Sequence, residues 1–298
     1  MKIANHRLEI TFADGNALTT PRFDHTGFIT RVILDEKYSF CTKEQFIAGR
    51  RNSGGEGLCG EFVLATGELA KAGEWFYKPG TGLVKQTADH QRFNIFGTYE
   101  LKSFPVTAEI LDEHTVRFIQ KGIECNGYCT DIVKTYSLQD NQLILNIEVA
   151  NTGSNEIELS EYQHNFMNIE NLPIGPGYRL TLPCDEELSK IENSTLRWGD
   201  EFPLDSAVVL KGDTIHWTTD MNSKVLYHES TAISKTEPYR WILQHEASNL
   251  SITEEVNFTP SMVIIWGVEH VICAEFYRTV KLLPGETSSW QRTWTFHS

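Results

Sequence analysis

The chain has 298 residues, 40% of them hydrophobic, with 26 lysines and arginines against 40 aspartates and glutamates. That length is enough to bury a sizeable core, and the formal net charge of -14 excludes non-specific nucleic-acid binding and adhesion to anionic membranes. No basic block offsets the acidity, and no apolar run reaches the ~20 residues that a membrane-spanning helix needs.

Met1 to Thr20 carries charged and polar residues throughout and lacks the apolar centre of a secretory signal, so a cytoplasmic location is expected. The six cysteines (Cys41, Cys59, Cys125, Cys129, Cys184, Cys273) are scattered, which reads as reduced thiols and not as a disulfide framework. Cys125 and Cys129 lie four apart, but no second Cys or His pair completes a zinc set, so no structural metal is expected.

Strand-like runs follow one another from end to end: Arg7 to Phe12, Phe28 to Leu34, Gly97 to Leu101, Val106 to Leu111, Thr115 to Gln120, Asp131 to Leu138, Gln142 to Val149 and Ile157 to His164. Val225 to His228, Arg240 to His245, Ser251 to Val256, Met262 to Trp266, Val271 to Phe276 and Trp290 to Phe296 continue the series. Turn chemistry separates them, as at Gln139-Asp140-Asn141 and Asn151-Thr152-Gly153-Ser154-Asn155. The helical candidates are short, Thr42 to Ala48 and Asp185 to Ile191, and Asn52 to Gly57 reads as an exposed loop. Many antiparallel strands without strand-helix alternation predict one all-β domain over 1–298, a large antiparallel sandwich.

Two strands carry the chemistry. From Asn155 to Gln163 the residues alternate, which puts Ile157, Leu159, Glu161 and Gln163 on one face and Glu156, Glu158, Ser160, Tyr162 and His164 on the other. His164 therefore shares the polar face, the placement of a cleft histidine. In Val271 to Phe276, Glu275 has the parity of Val271 and Cys273 in a strand whose two faces both read as covered. A carboxylate there must be paired or held with a raised pKa, and a salt bridge to Arg278 or Arg240 is the structural alternative.

The order His164-Asn165-Phe166-Met167-Asn168-Ile169, then Ile272-Cys273-Ala274-Glu275, then Leu283-Pro284-Gly285-Glu286 before a last strand resembles the aldose 1-epimerase (galactose mutarotase-like) superfamily. Thr26-Gly27-Phe28-Ile29 resembles that family's first glycine-containing strand. The resemblance implies a galactose mutarotase-like supersandwich with a concave sugar-binding face, a cofactor-free isomerase acting on a sugar, His164 as general acid and Glu275 as general base. It also implies that the two side chains flank one sugar ring across a gap about one pyranose wide.

Arg22, His25, Phe166, Trp266 and Arg240 are the candidate sugar contacts, Trp266 as an aromatic platform for sugar C–H faces. Cys59 stands where many members carry a loop histidine, in Gly57-Leu58-Cys59-Gly60. A hexose-6-phosphate epimerase would need Arg22, Arg50, Arg51 or Arg240 to converge on a phosphate, and a non-catalytic carbohydrate-binding module remains a third reading. The oligomeric state is not legible from the sequence.

Overall fold

A computed structural model describes residues 1–47, 52–183, 195–198, 208–222, 225–231, 233 and 237–298. Among these there is no α-helix, only short 3-10 turns, and the strands form two ten-stranded sheets and one three-stranded sheet. No helix among the described residues is long and apolar enough to cross a membrane.

Period-two patterning builds both large sheets. In Thr130–Gln139 buried and half-exposed residues alternate along ten positions, and the strand pairs in register with Gln142–Asn151 from Thr130 against Asn151 to Gln139 against Gln142. The two-residue turn between them has Asp140 at φ 52°, as a tight hairpin of the right twist requires. The closing turn has Gly285 at φ 84° after Pro284 and carries the chain from Val271–Leu282 in one large sheet to Thr287–His297 in the other.

In the front sheet the central neighbours are Ile29–Leu34, Leu58–Val63, Ile157–Asn165, Val271–Leu282, Met262–Val268 and Leu226–Ser230. In the back sheet they are Tyr178–Thr181, Tyr239–His245, Leu250–Val256, Thr287–His297, Gln142–Asn151 and Thr130–Gln139. The inner faces enclose one continuous apolar core that includes Leu159, Ile265, Phe276, Leu145, Trp241, Trp294 and Phe296.

An ionic cluster crosses this core. Arg292 of the back sheet, wholly buried, reaches Glu161 of the front sheet at 2.7 Å and Glu254 of its own sheet at 2.7 Å. Trp290 Nε1 also donates to Glu161, and Trp241 Nε1 and Asn165 Nδ2 donate to Glu254, so both carboxylates are multiply satisfied. Asn165 Nδ2 additionally donates to the Ala274 carbonyl at 2.8 Å, tying the strand of His164 to the strand of Glu275 where their ladder ends.

The small sheet, Trp75–Lys78, Gly82–Lys85 and Leu101–Ser103, lies in the excursion between Leu58–Val63 and Val106–Asp112. It packs around its own apolar cluster of Ala70, Phe76 and Val84, with Phe93, Tyr99 and Leu101 against it.

Most expected strands are present, but several details differ. Gly97 to Glu100 are not in a strand, which begins at Leu101. Leu58–Val63, expected as part of a loop, is a central strand of the front sheet. Thr42 to Ile47 is not helical: the Glu44 N–H donates to the Gly55 carbonyl and the Glu44 carboxylate accepts from the Ser53 and Gly55 N–H groups, which lashes the segment to the following loop. The other helical candidate, Asp185 to Ile191, lies outside the described residues, as do Cys184, Arg50 and Arg51.

Candidate active site

The outer face of the front sheet is where the expected residues meet. Register places Tyr162 opposite Glu61 on one side and Tyr277 on the other, His164 opposite Cys59, and Glu275 opposite Ile264. The alternation read from sequence holds without a bulge: Glu161 faces the inter-sheet core, and Tyr162 and His164 face outward.

Outward does not mean solvated. These side chains floor a cavity of about 580 Å³, within the range of small-ligand pockets, with Val63, Leu64, Phe93, Ile95 and Phe96 forming one apolar wall and Ile264 and Trp266 another. His164 and Glu275 are both buried, and the His164 Nε2 lies 3.2 Å from the Glu275 Oε1.

This corrects the expectation of two groups separated by a sugar's width. They touch, side by side on adjacent strands. Glu275 pairs with neither arginine: its Oε2 accepts from the Tyr277 hydroxyl at 3.2 Å.

Burial dominates the titration of the pair. It pushes the Glu275 carboxyl up to about 8 and holds the His164 imidazole well below its ordinary value, with the Arg22 cation adding to the effect on the histidine. Near neutrality the resting pair therefore holds one proton and no net charge.

The imidazole plane is fixed by packing. Phe166, fully buried, stacks on it at 4.0 Å between centroids and 5° between planes, and Phe23 and Trp266 meet it edge-on. Gly55 passes so close that a Cβ there would meet the Phe166 ring at 2.1 Å, so the Asn52–Gly57 segment clamps the stack from outside.

Beside the pair lies a second, charged group. Arg22 donates to Glu61 at 2.9 Å, to Ser53 Oγ at 2.8 Å and to the Tyr162 hydroxyl at 3.0 Å, and Lys78 reaches the other Glu61 oxygen at 3.0 Å. Tyr162 also donates to Glu61. Burial alone would raise the Glu61 carboxyl, but Lys78 and Arg22 hold it below its ordinary value. Arg22 is thus oriented at the cleft, sharing the Glu61 carboxylate with Lys78.

Of the remaining candidates, Trp266 lines the cleft and is partly exposed there. Phe166 does not contact the cavity; it supports the histidine from within. His25 is buried away from the cleft, its Nε2 on the Thr20 carbonyl, because the polar run around it folds inward under the small sheet. Arg240 is exposed on Tyr239–His245 in the back sheet, on the far layer from His164. Cys59 is buried in the apolar cluster with Phe23, Phe28, Phe166 and Cys273, so it cannot take a sugar hydroxyl.

Sequence reading missed Glu61, Tyr277 and Lys78. Tyr277 was accessible in principle, since it has the parity of Glu275. Glu61 was hidden by reading its strand as a loop. Cys273 also joins the site: one donor atom each of His164, Cys273 and Glu275 lie within 4.8 Å of one another.

The chain matches no protein-family model and no curated protein. Solved structures do match over nearly its whole length. A galactose mutarotase-like protein from Clostridium acetobutylicum superposes with a TM-score of 0.61 at 12% identity, covering 100% of this chain and 94% of that one. The GalM/aldose epimerase homologue from C. elegans gives 0.57 at 14% identity, covering 100% and 98%. A galactose mutarotase-like protein from Lactobacillus casei gives 0.57 at 14%, covering 100% and 99%.

The fold is galactose mutarotase-like. At these identities the likeness establishes architecture, and the chemistry has to be argued from the side chains of this chain.

Proposed function

We propose that this chain interconverts the anomers of a free, unphosphorylated aldose by acid/base ring opening and closure, with His164 and Glu275 as the proton carriers. The observation that carries the reading is the direct 3.2 Å contact between an imidazole and a carboxyl of raised pKa on the floor of a cavity large enough for a hexose.

Mutarotation requires one proton delivered to the ring oxygen and one removed from the anomeric hydroxyl. Those two oxygens are substituents of a single carbon, so carriers that sit side by side suit them better than carriers a ring apart. Transfer of the shared proton from Glu275 to His164 along their contact creates a cationic acid and an anionic base. His164 then protonates the ring oxygen while Glu275 takes the hydroxyl proton, and the bond from the anomeric carbon to the ring oxygen breaks. The free aldehyde turns about its bond to the next carbon and recloses on the other face, which returns both protons. The apolar walls keep water out and strengthen each of these interactions, and Trp266 offers an aromatic face to the sugar's C–H surface.

The phosphorylated alternative is less well supported. Among the described residues lining the cleft, Arg22 is already held by Glu61, Ser53 and Tyr162, and Arg92 at the rim is paired with Glu68. A purely binding module has no use for a carboxyl held near neutrality against a histidine, which argues against the third reading.

Polarimetry or exchange NMR on a panel of neutral aldoses tests the proposal. A rate on at least one sugar well above the buffer-catalysed rate is expected; rates equal to buffer across the panel would overturn it.

A further inference from the structure

We propose that His164, Cys273 and Glu275 also form an inhibitory binding site for a thiophilic divalent cation, of which zinc is the ion that best fits the donors. The site itself stands on geometry alone; only its inhibitory consequence rests on the proton-transfer reading above.

Cys273 and Glu275 are two apart on one strand, so their side chains leave the same face, and His164 comes from the adjacent strand. The three donor atoms lie within 4.8 Å of one another, with Nε2 and Oε1 at 3.2 Å. Around one tetrahedral zinc, with bonds of about 2.0 Å to nitrogen and oxygen and about 2.3 Å to sulfur, donors sit roughly 3 to 4 Å apart. Side-chain rotations that draw the donors together by about an ångström convert the cluster into three legs of a tetrahedron. The fourth position faces the cavity that His164 and Glu275 line.

The donor chemistry selects the ion. One sulfur, one imidazole nitrogen and one carboxylate oxygen suit zinc or another late divalent metal and do not suit magnesium or calcium, which take oxygen sets. Charge agrees with burial: a divalent ion bound by a thiolate and a carboxylate is neutral overall, so the complex adds no net charge to an apolar pocket. On binding, the thiol proton and the proton shared by the pair leave to solvent.

Affinity should be moderate. The His164 Nδ1 has no hydrogen-bond partner, whereas metal-bound histidines usually donate that N–H to a carboxylate or carbonyl. The structure thus points to an exchangeable inhibitor and not to a resident cofactor. Because the ion occupies Nε2 and Oε1, it removes both proton carriers at once, and metal and sugar exclude each other.

The test uses the full chain, freed of metal and kept reduced, titrated with Co²⁺. The expected result is a near-ultraviolet thiolate-to-cobalt charge-transfer band that saturates at one equivalent, is displaced by Zn²⁺, persists in Cys125→Ser and disappears in Cys273→Ser. Absence of the band, or its persistence in Cys273→Ser, would overturn the site. Should Cys273→Ser fail to fold, His164→Ala carries the same test and must weaken cobalt binding at least tenfold; unchanged binding refutes the site. If the band appears in a protein with no mutarotation, the ion site stands and the sugar chemistry falls; mutarotation without a band gives the reverse.

Discussion

Buried carboxylates lie on both faces of the front sheet, and they are supplied with partners very differently. On the inner face, Glu161 and Glu254 share Arg292 and collect further donors from Trp290, Trp241 and Asn165. On the outer face, Glu275 has a neutral histidine and one tyrosine hydroxyl. Depth is similar for all three; what differs is the number of donors and cations supplied. Burial raises the Glu254 carboxyl as well, but Arg292 and the Trp241 indole oppose it, whereas Glu275, with fewer partners, is pushed up to about 8 and so keeps a proton near neutrality that it can pass on. The strand of residues 157–165 joins the two: Glu161 anchors it to the back sheet, and His164, three residues on, faces the cleft.

The comparison is broken most directly at the outer pair. Glu275→Gln and His164→Ala should each lower the mutarotation rate by about 10² to 10⁴; the near-isosteric glutamine should leave the unfolding midpoint in urea little changed, whereas the alanine also empties the site packed against Phe166 and should lower it. If both variants retained the wild-type rate on a sugar the protein turns over, the pair would be structural after all.

The inner face should give the opposite result. Arg292→Met leaves Glu161 and Glu254 buried without their cation and is expected to destabilise the fold by about 3–5 kcal/mol, measured by denaturant unfolding. Whatever fraction still folds should keep the pH profile of the wild type.

The third test reads the charge state directly. Glu275 is raised above its unfolded value, so its contribution to stability is fully present below the ordinary carboxyl range and is lost as pH rises toward about 8. The His164 shift is in the other direction, so that group is neutral in both states above its ordinary value and adds nothing there. Between about pH 6.5 and 8 the wild type should therefore lose up to about 1.4 kcal/mol per pH unit relative to Glu275→Gln, seen as converging or crossing melting temperatures. Activity should follow a bell whose alkaline limb lies near 8 and whose acid limb lies well below the usual histidine range.

The smallest effect belongs to Tyr277→Phe. The tyrosine hydrogen bond lowers the Glu275 pKa, so its removal should move the alkaline limb of the rate profile to higher pH by about half to one unit. A limb that stays fixed would mean that Oε2 finds another donor.

The elements carrying His164 and Glu275 were readable because strand alternation reports which face a residue occupies, and both faces proved as the pattern implied. Which strands lie side by side is a different kind of information. Glu61 meets Tyr162 across about a hundred residues of chain, and no local pattern encodes that pairing. Leu58–Val63 was hidden further by Gly57 and Gly60, residues that ordinarily mark turns; here Gly60 admits the Gln163 side chain and Gly57 takes φ 63° against the Ile29 carbonyl. His25 and Arg240 were singled out by residue type alone, and type does not say whether a polar loop folds inward or which layer a strand joins. The apolar wall from Phe93, Ile95 and Phe96 is an excursion without strong periodicity and left no comparable trace.

That excursion has a consequence for how selectivity and chemistry are divided. Its three strands close around Phe76, Val84 and Ala70, a nucleus separate from the one between the large sheets. The apolar wall over the cleft is therefore nearly modular: its side chains can be exchanged for bulkier, smaller or more polar ones while His164 and Glu275 stay anchored to the main body, so one floor can be fitted with many different entrances.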